Sequence, residues 1–310
     1  MVDEAVDERV VDEPVVDGHV LDEPVVDEGG LAERAPAESG VPKRPAGGYI
    51  VSRTYDWAFF LLPPVVGLLF GIAVSQWPIA QSMVWSPFAP GEPTTPAALF
   101  IGALIHAHLV AVFFRSHGNA TIRRRHRIAF FVVPPVLFVA LLLSTWLVVL
   151  SLAVATFWDV WHSGAQTFGF ARIYERNAGT EPTTLRRLDF WLNQLLYAGP
   201  ILAGASLMDH VAVFEDFGDL DDPLALVFAR TPGAFEANAG VLTTTLLVLG
   251  SIFLIVYVVA SLRARRAGHR VPMQKVVLLV VTGACSIYTW GFNSWGEAFF
   301  IMNFFHAVQY

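Results

Sequence analysis

The sequence predicts an all-α fold, a polytopic transmembrane helical bundle of about eight crossings, and three observations carry that prediction. Hydrophobic residues make up 55% of the 310 and charged residues only 15%, a balance foreign to soluble globular domains. The mean hydropathy is +0.53. Apolar runs close to the roughly 20 residues that a helix needs to cross hydrocarbon recur along the chain, and basic residues gather in alternate connections between them, as they do where Lys and Arg stay cytoplasmic.

The formal net charge of −7 hides two unlike parts. Thirteen of the 27 acidic residues lie in the first 40 positions, opposed there only by Arg9 and Arg34, so the rest of the chain carries 18 basic residues against 14 acidic. Residues 1–48 repeat the phrase VDEPVVD and cannot bury enough apolar surface to offset chain entropy, so they are expected to form a disordered acidic tail. They lack the basic start and apolar run of a secretory signal. Residues 49–310 form the integral membrane domain. The single cysteine, Cys285, leaves no disulfide framework and no thiolate metal cluster.

The candidate crossings are 57–76, 96–114, 128–146, 148–171, 188–207, 240–262, 276–293 and an incomplete one at 296–310. Residues 128–171 are apolar almost throughout and would make a single helix about 66 Å long against a core of about 30 Å, so they must fold back near Ser144–Leu147. Arg123, Arg124, Arg125 and Arg127 precede this stretch and Arg172 and Arg176 follow it, which requires an even number of crossings between them. Lys43, Arg44 and Arg53 before the first helix place the amino terminus in the cytoplasm, and Arg263, Arg265, Arg266, Arg270 and Lys275 mark another cytoplasmic connection. Residues 77–95 hold no Lys or Arg. The longest external loop, 208–239, is acidic, and its spaced apolar residues suit a surface helix. The expected localisation is an integral protein of a bacterial cytoplasmic (inner) membrane. The last helix lacks a basic flank, and the natural chain is expected to continue it.

AFFLLPPVVGLL, from Ala58, returns as AFFVVPPVLFVALL, from Ala129, and reads as a duplicated helical hairpin. Pro63 and Pro134 remove backbone donors at membrane depth, so the carbonyls they release need a neighbouring side chain or water.

The polar residues left inside the apolar runs are the candidate site. Asp159, His162 and Gln166 lie at i, i+3 and i+7 on one helix face; Asn303, His306 and Gln309, at i, i+3 and i+6, make a similar stripe on the last helix. His106 lies nine residues before Arg115 and His162 ten before Arg172, about 13.5 and 15 Å along a helix, so they share a depth. His106 and His108 are about 200° apart on an ideal helix, and only one can face inward. Depth favours His106, with His108 as its alternative. His117, His126 and His269 are expected at headgroups, His210 at the outer surface and His19 in the tail.

Ionisable residues at membrane depth are costly and default to function. Neutral imidazoles ligate metals, and a site of His106, His162 and His306 without thiolates suits iron, copper or zinc. Asp159, Gln166, Asn303 and Gln309 are expected to orient the ligands from behind. These residues point to a membrane-bound, metal-dependent oxidoreductase, a non-haem iron oxygenase or hydroxylase acting on a lipid or isoprenoid that enters from the bilayer. The arrangement is similar in kind to membrane desaturases and bacterial carotene dioxygenases, although the HxxxH, HxxHH and Pro-His-Gly signatures of those proteins are missing. A b-type haem protein, and a proton-coupled transporter with no cofactor, are the alternatives. The expected partners are the lipid bilayer and a lipophilic small molecule, with no nucleic acid.

Overall fold

The structure, a computed structural model, describes residues 46–85, 93–181 and 183–309. All but the last three residues of the expected acidic tail lie outside these. Among the described residues the fold is all-α, with one two-stranded pairing of Val84–Trp85 with Pro93–Thr94. Eight helices of eleven residues or more follow the eight apolar runs: α1 Pro63–Ser75, α2 Pro96–His117, α3 Val133–Leu143, α4 Thr145–Asn177, α5 Arg186–Ala203, α6 Thr231–Arg266, α7 Met273–Phe292 and α8 Trp295–Val308.

By length and composition, four helical stretches among the described residues are long and apolar enough to cross a membrane, and up to six if each of two bent pairs is one span. The count of eight therefore rests on helices such as α3, 11 residues, and α8, 14 residues, which are shorter than a full crossing. The 128–171 stretch does break where the sequence requires. Ser144 is extended, and its hydroxyl accepts from the Leu147 N–H that opens α4. The 208–239 segment, whose spaced apolar residues suit a helix, is mostly helical: Leu207–Val211, a 3-10 stretch Ala212–Leu220, then Pro223–Ala229. α6 starts at Thr231, nine residues earlier than expected, because nothing after Pro232 at its first turn interrupts helical continuation.

Each proline pair opens a helix after a break, at Leu62 and at Val132. In the first, a π turn over Trp57–Leu61 precedes α1 at a 46° bend. Pro64 cannot donate to the carbonyl four residues back, and that carbonyl, Phe60 O, instead accepts from Gln309 Nε2 at 2.9 Å. The released acceptor is thus satisfied by a side chain from the far end of the sequence.

α8 is the central helix, burying Ala298, Phe300, Ile301, Met302, Phe305, His306 and Gln309. α1 approaches it through Gly67 and Gly71, one turn apart. A Cβ on Gly71 would stand 2.2 Å from Ile301 Cγ1, and one on Gly67 would stand 3.2 Å from Phe304. Small residues at this spacing let helices touch at the backbone where water supplies no driving force. Phe70, Phe100, Phe300 and Phe304 tie α1, α2 and α8 together, with centroid distances of 5.2 to 6.4 Å.

α4, α5, α6 and α7 are held by a buried ionic network. Lys275 Nζ donates to Glu175 Oε1 and Asp189 Oδ1, both at 2.6 Å; Arg172 donates to Asp189 Oδ2 at 2.9 Å and also pairs with Glu175; Tyr257 OH donates to Asp189 Oδ1 at 2.8 Å. His269 Nε2 lies 3.6 Å from Glu175. The sequence placed Arg172, His269 and Lys275 in the cytoplasmic flanks. Here Lys275, Glu175 and Asp189 are at most 1% exposed, since each charge finds an opposite one.

Candidate functional site

Three imidazoles meet inside the bundle. His108 of α2, His162 of α4 and His306 of α8 each offer a ring nitrogen, and these nitrogens lie within 4.8 Å of one another. The His306 ring stands 5.2 Å, centroid to centroid, from those of both His108 and His162. The local causes are plain. α8 is packed on several sides, which fixes His306 at its inner end. α2 touches α8 along Ile101 and Ile105, and His108 continues that face one turn on.

His106, favoured by depth, does not join the cluster. It is exposed, and its Nδ1 lies 2.7 Å from the Gly102 carbonyl of its own helix. Depth alone misplaced it: the two histidines are nearly level, and the decisive quantity is angle around the helix. His108, the alternative, faces α8.

The supporting residues separate in the same way. Asp159 and Asn303 line a cavity of about 250 Å³ that also touches His306. Gln309 is turned to the Phe60 carbonyl and serves the α1 break rather than the histidines. Gln166, one turn from His162, has both amide atoms buried, and neither finds a hydrogen-bond partner among the described residues.

The cavity adds a residue that the sequence placed at the outer surface. His210 is 2% exposed and lines the same cavity, its ring at 72° to that of Trp290 and 4.9 Å away. The bend between α5 and the Leu207–Val211 helix, 98°, brings it inward. Ser206 anchors the bend, its N–H and hydroxyl both donating to the Trp290 carbonyl of α7. Gly204, 2.5 Å from Gly291 Cα at the position a Cβ would take, lets the two chains approach. The sequence-level signal for His210 was its distance from any Lys or Arg in a loop whose apolar residues are helically spaced.

Three imidazoles from three helices, one of them on a cavity that also carries a carboxylate and an amide, could hold a metal ion. Comparison of the chain with protein-family models, with curated proteins and with solved structures finds no match.

Proposed function

We propose that this chain is an integral membrane metalloprotein of eight helical passes, with its amino terminus in the cytoplasm, in which His108, His162 and His306 hold a non-haem iron that oxygenates or hydroxylates a lipophilic substrate. The meeting of imidazoles from three separate helices in an apolar bundle carries this reading. Bringing three ionisable rings together inside an apolar bundle is costly in a hydrocarbon environment. A shared cation accounts for the cost.

Metal–nitrogen bonds of about 2.0–2.1 Å place ligating nitrogens some 3 Å apart, so ring rotations close the cluster around one ion. A haem suits it less well. A porphyrin ligated on both faces must lie between two imidazoles, and here a third ring nitrogen is within 4.8 Å of both. Iron, which accepts six ligands, makes use of three histidines and an open side. That open side meets the cavity of His306, Asp159 and Asn303. The apolar part of the wall, Ile105, Val160, Phe299 and Met302, suits a substrate that arrives through the bilayer.

Elemental analysis of the purified full chain, from cells supplied with iron, copper and zinc, tests this. The expected result is one iron per chain without a Soret band, and loss of that iron in His306→Ala. A folded, metal-free parent overturns the metal site, and stoichiometric zinc overturns the oxidoreductase. The eight passes are tested separately by single cysteines at Thr145 and Glu181 in a Cys285→Ala background, which should label from opposite sides of the membrane.

A further inference from the structure

The cavity beside His306 has a neighbour. A second cavity, of about 490 Å³, lies between the carboxyl-terminal end of α1 and the amino-terminal ends of α2 and α8, and Phe299 stands in the walls of both. The same two helices line the pair in order. α2 contributes Ala98 and Gly102 to the second cavity and Ile105 to the first; α8 contributes Glu297 to the second, then Met302, Asn303 and His306 to the first. Glu297 is nine residues from His306, about 13.5 Å along the helix.

Ser75, Gln81, Thr95, Ser294 and Glu297 line the second cavity, a wall that suits water rather than hydrocarbon. Its volume is also kept free of side chains. Gly71 is glycine because Ile301 leaves no room beside it, but a Cβ on Gly102 or Gly296 would meet nothing within 4 Å among the described residues. A glycine inside a helix is less stable than an alanine, so an unfilled position gives up stability and leaves open space. The other end of the histidine cluster is packed. There Phe305 is 0% and Gln309 2% exposed, Gln309 is bonded to the Phe60 carbonyl, and Leu61 belongs to a buried cluster with Ala171, Tyr174 and Leu278.

A lipophilic substrate can arrive through the bilayer, but a divalent ion cannot, because an unpaired charge leaves water only at great cost. We infer that the second cavity is a water-filled vestibule through which a hydrated divalent cation reaches His108, His162 and His306, with Phe299 as the partition it must pass. The inference rests on the metal-site reading and names the route into that site. Glu297 draws the cation toward the passage, as a carboxylate in a cleft does. Gly102 and Gly296 keep the passage clear, and rotation of the Phe299 side chain on α8 opens its last step.

The test uses the full chain, stripped of metal with a chelator and held in lipid nanodiscs, and follows anaerobic uptake of ferrous ion by elemental analysis of timed samples. Gly102→Leu puts a side chain into the open volume. It is expected to slow uptake and release alike by about ten-fold or more at unchanged affinity, because a residue on the route alters the barrier and not the bound state. Phe299→Ala should speed both. Glu297→Gln should slow uptake by about two- to five-fold and flatten its dependence on ionic strength. A second readout needs no metal: Ser163→Cys in a Cys285→Ala background places a thiol on the inner cavity. A small water-soluble methanethiosulfonate should modify it, and Gly102→Leu should slow that reaction by a similar factor. Uptake of one iron per chain at rates that Gly102→Leu and Phe299→Ala leave unaltered overturns the inference alone, as does thiol modification indifferent to Gly102→Leu. A parent that takes up no iron, while Gly102→Leu still shields the thiol, overturns the metal reading and keeps the passage as a path for water.

Discussion

Around Glu175 and Asp189 every charge meets its opposite at hydrogen-bond distance, whereas around His306 ring nitrogens meet one another and the amide of Gln166 meets nothing among the described residues. Both regions are polar interruptions of the same apolar bundle. In the first, two carboxylates, a lysine, an arginine and a tyrosine satisfy each other across α4, α5, α6 and α7. The second has valence to spare. A polar group inside an apolar bundle is thus not a functional residue by default, since the ionic network shows charges that serve the fold.

That contrast is broken most severely at Lys275. Lys275→Ala leaves Glu175 and Asp189 facing each other with one cation fewer, and removing one partner of a buried pair typically costs about 3–5 kcal/mol. The expected result is loss of monodisperse protein in gel filtration, with no dependence on added metal. His306→Ala should do the opposite. The bound metal is lost, yet the apoprotein remains folded and melts within a few degrees of the metal-free parent, because the change removes a polar group from hydrocarbon. If the two variants behave alike, the regions do not differ in kind.

A packing change should act on the histidine cluster from a distance. A methyl on Gly71 would stand 2.2 Å from Ile301 Cγ1, five residues before His306 on the same helix. Gly71→Ala is expected to cost about 1–3 kcal/mol, the usual penalty for overpacking, and to weaken metal affinity by displacing α8. Gly71→Ala combined with Ile301→Ala should recover the affinity. A double variant no better than the single one would mean that α1 does not position His306. Gln309→Leu, which leaves the Phe60 carbonyl without its donor, should cost about 1–3 kcal/mol in thermal melts while sparing metal affinity.

The elements were legible because membrane helices announce themselves by length, and the arginines separated 123–127 from 172–176 well enough to demand the break now seen at Ser144. Helix rotation was not legible. In a soluble helix the polar face betrays the buried one, but in α2 the residues turned away from the bundle, Leu109, Val110, Phe113 and Phe114, are as apolar as Ile101 and Ile105 turned toward it. The ionic network escaped for a related reason. Arg172 and Lys275 sit at helix ends, where they look like headgroup anchors; Glu175 is one turn from Arg172, but nothing local says that Lys275 reaches Glu175 and Asp189, 100 and 86 residues away. His210 needed the 98° bend after α5, whose cause, the Gly204–Gly291 approach, lies in contacts far apart in sequence.

The smallest expected effect is the most discriminating. His106 and His108 share a helix, a depth and a chemistry, and differ in rotation by about 200°. His106 is exposed and bonded to its own backbone at Gly102, whereas the His108 ring stands 5.2 Å from that of His306. His106→Ala is therefore expected to leave metal stoichiometry and affinity unchanged within a factor of about two, a few tenths of a kcal/mol, whereas His108→Ala should lower affinity by orders of magnitude. Elemental analysis after dialysis against a graded chelator reads both. Exchanging the pair sharpens the comparison further, because His106→Ala with Ala107→His moves an imidazole by about 100° without changing the composition of α2. An imidazole at 107 should fail to rescue His108→Ala, since ligation needs the ring on the face of Ile101 and Ile105. Rescue from position 107, or metal loss in His106→Ala alone, would show that α2 is rotated from the orientation described, and with it the assignment of His108.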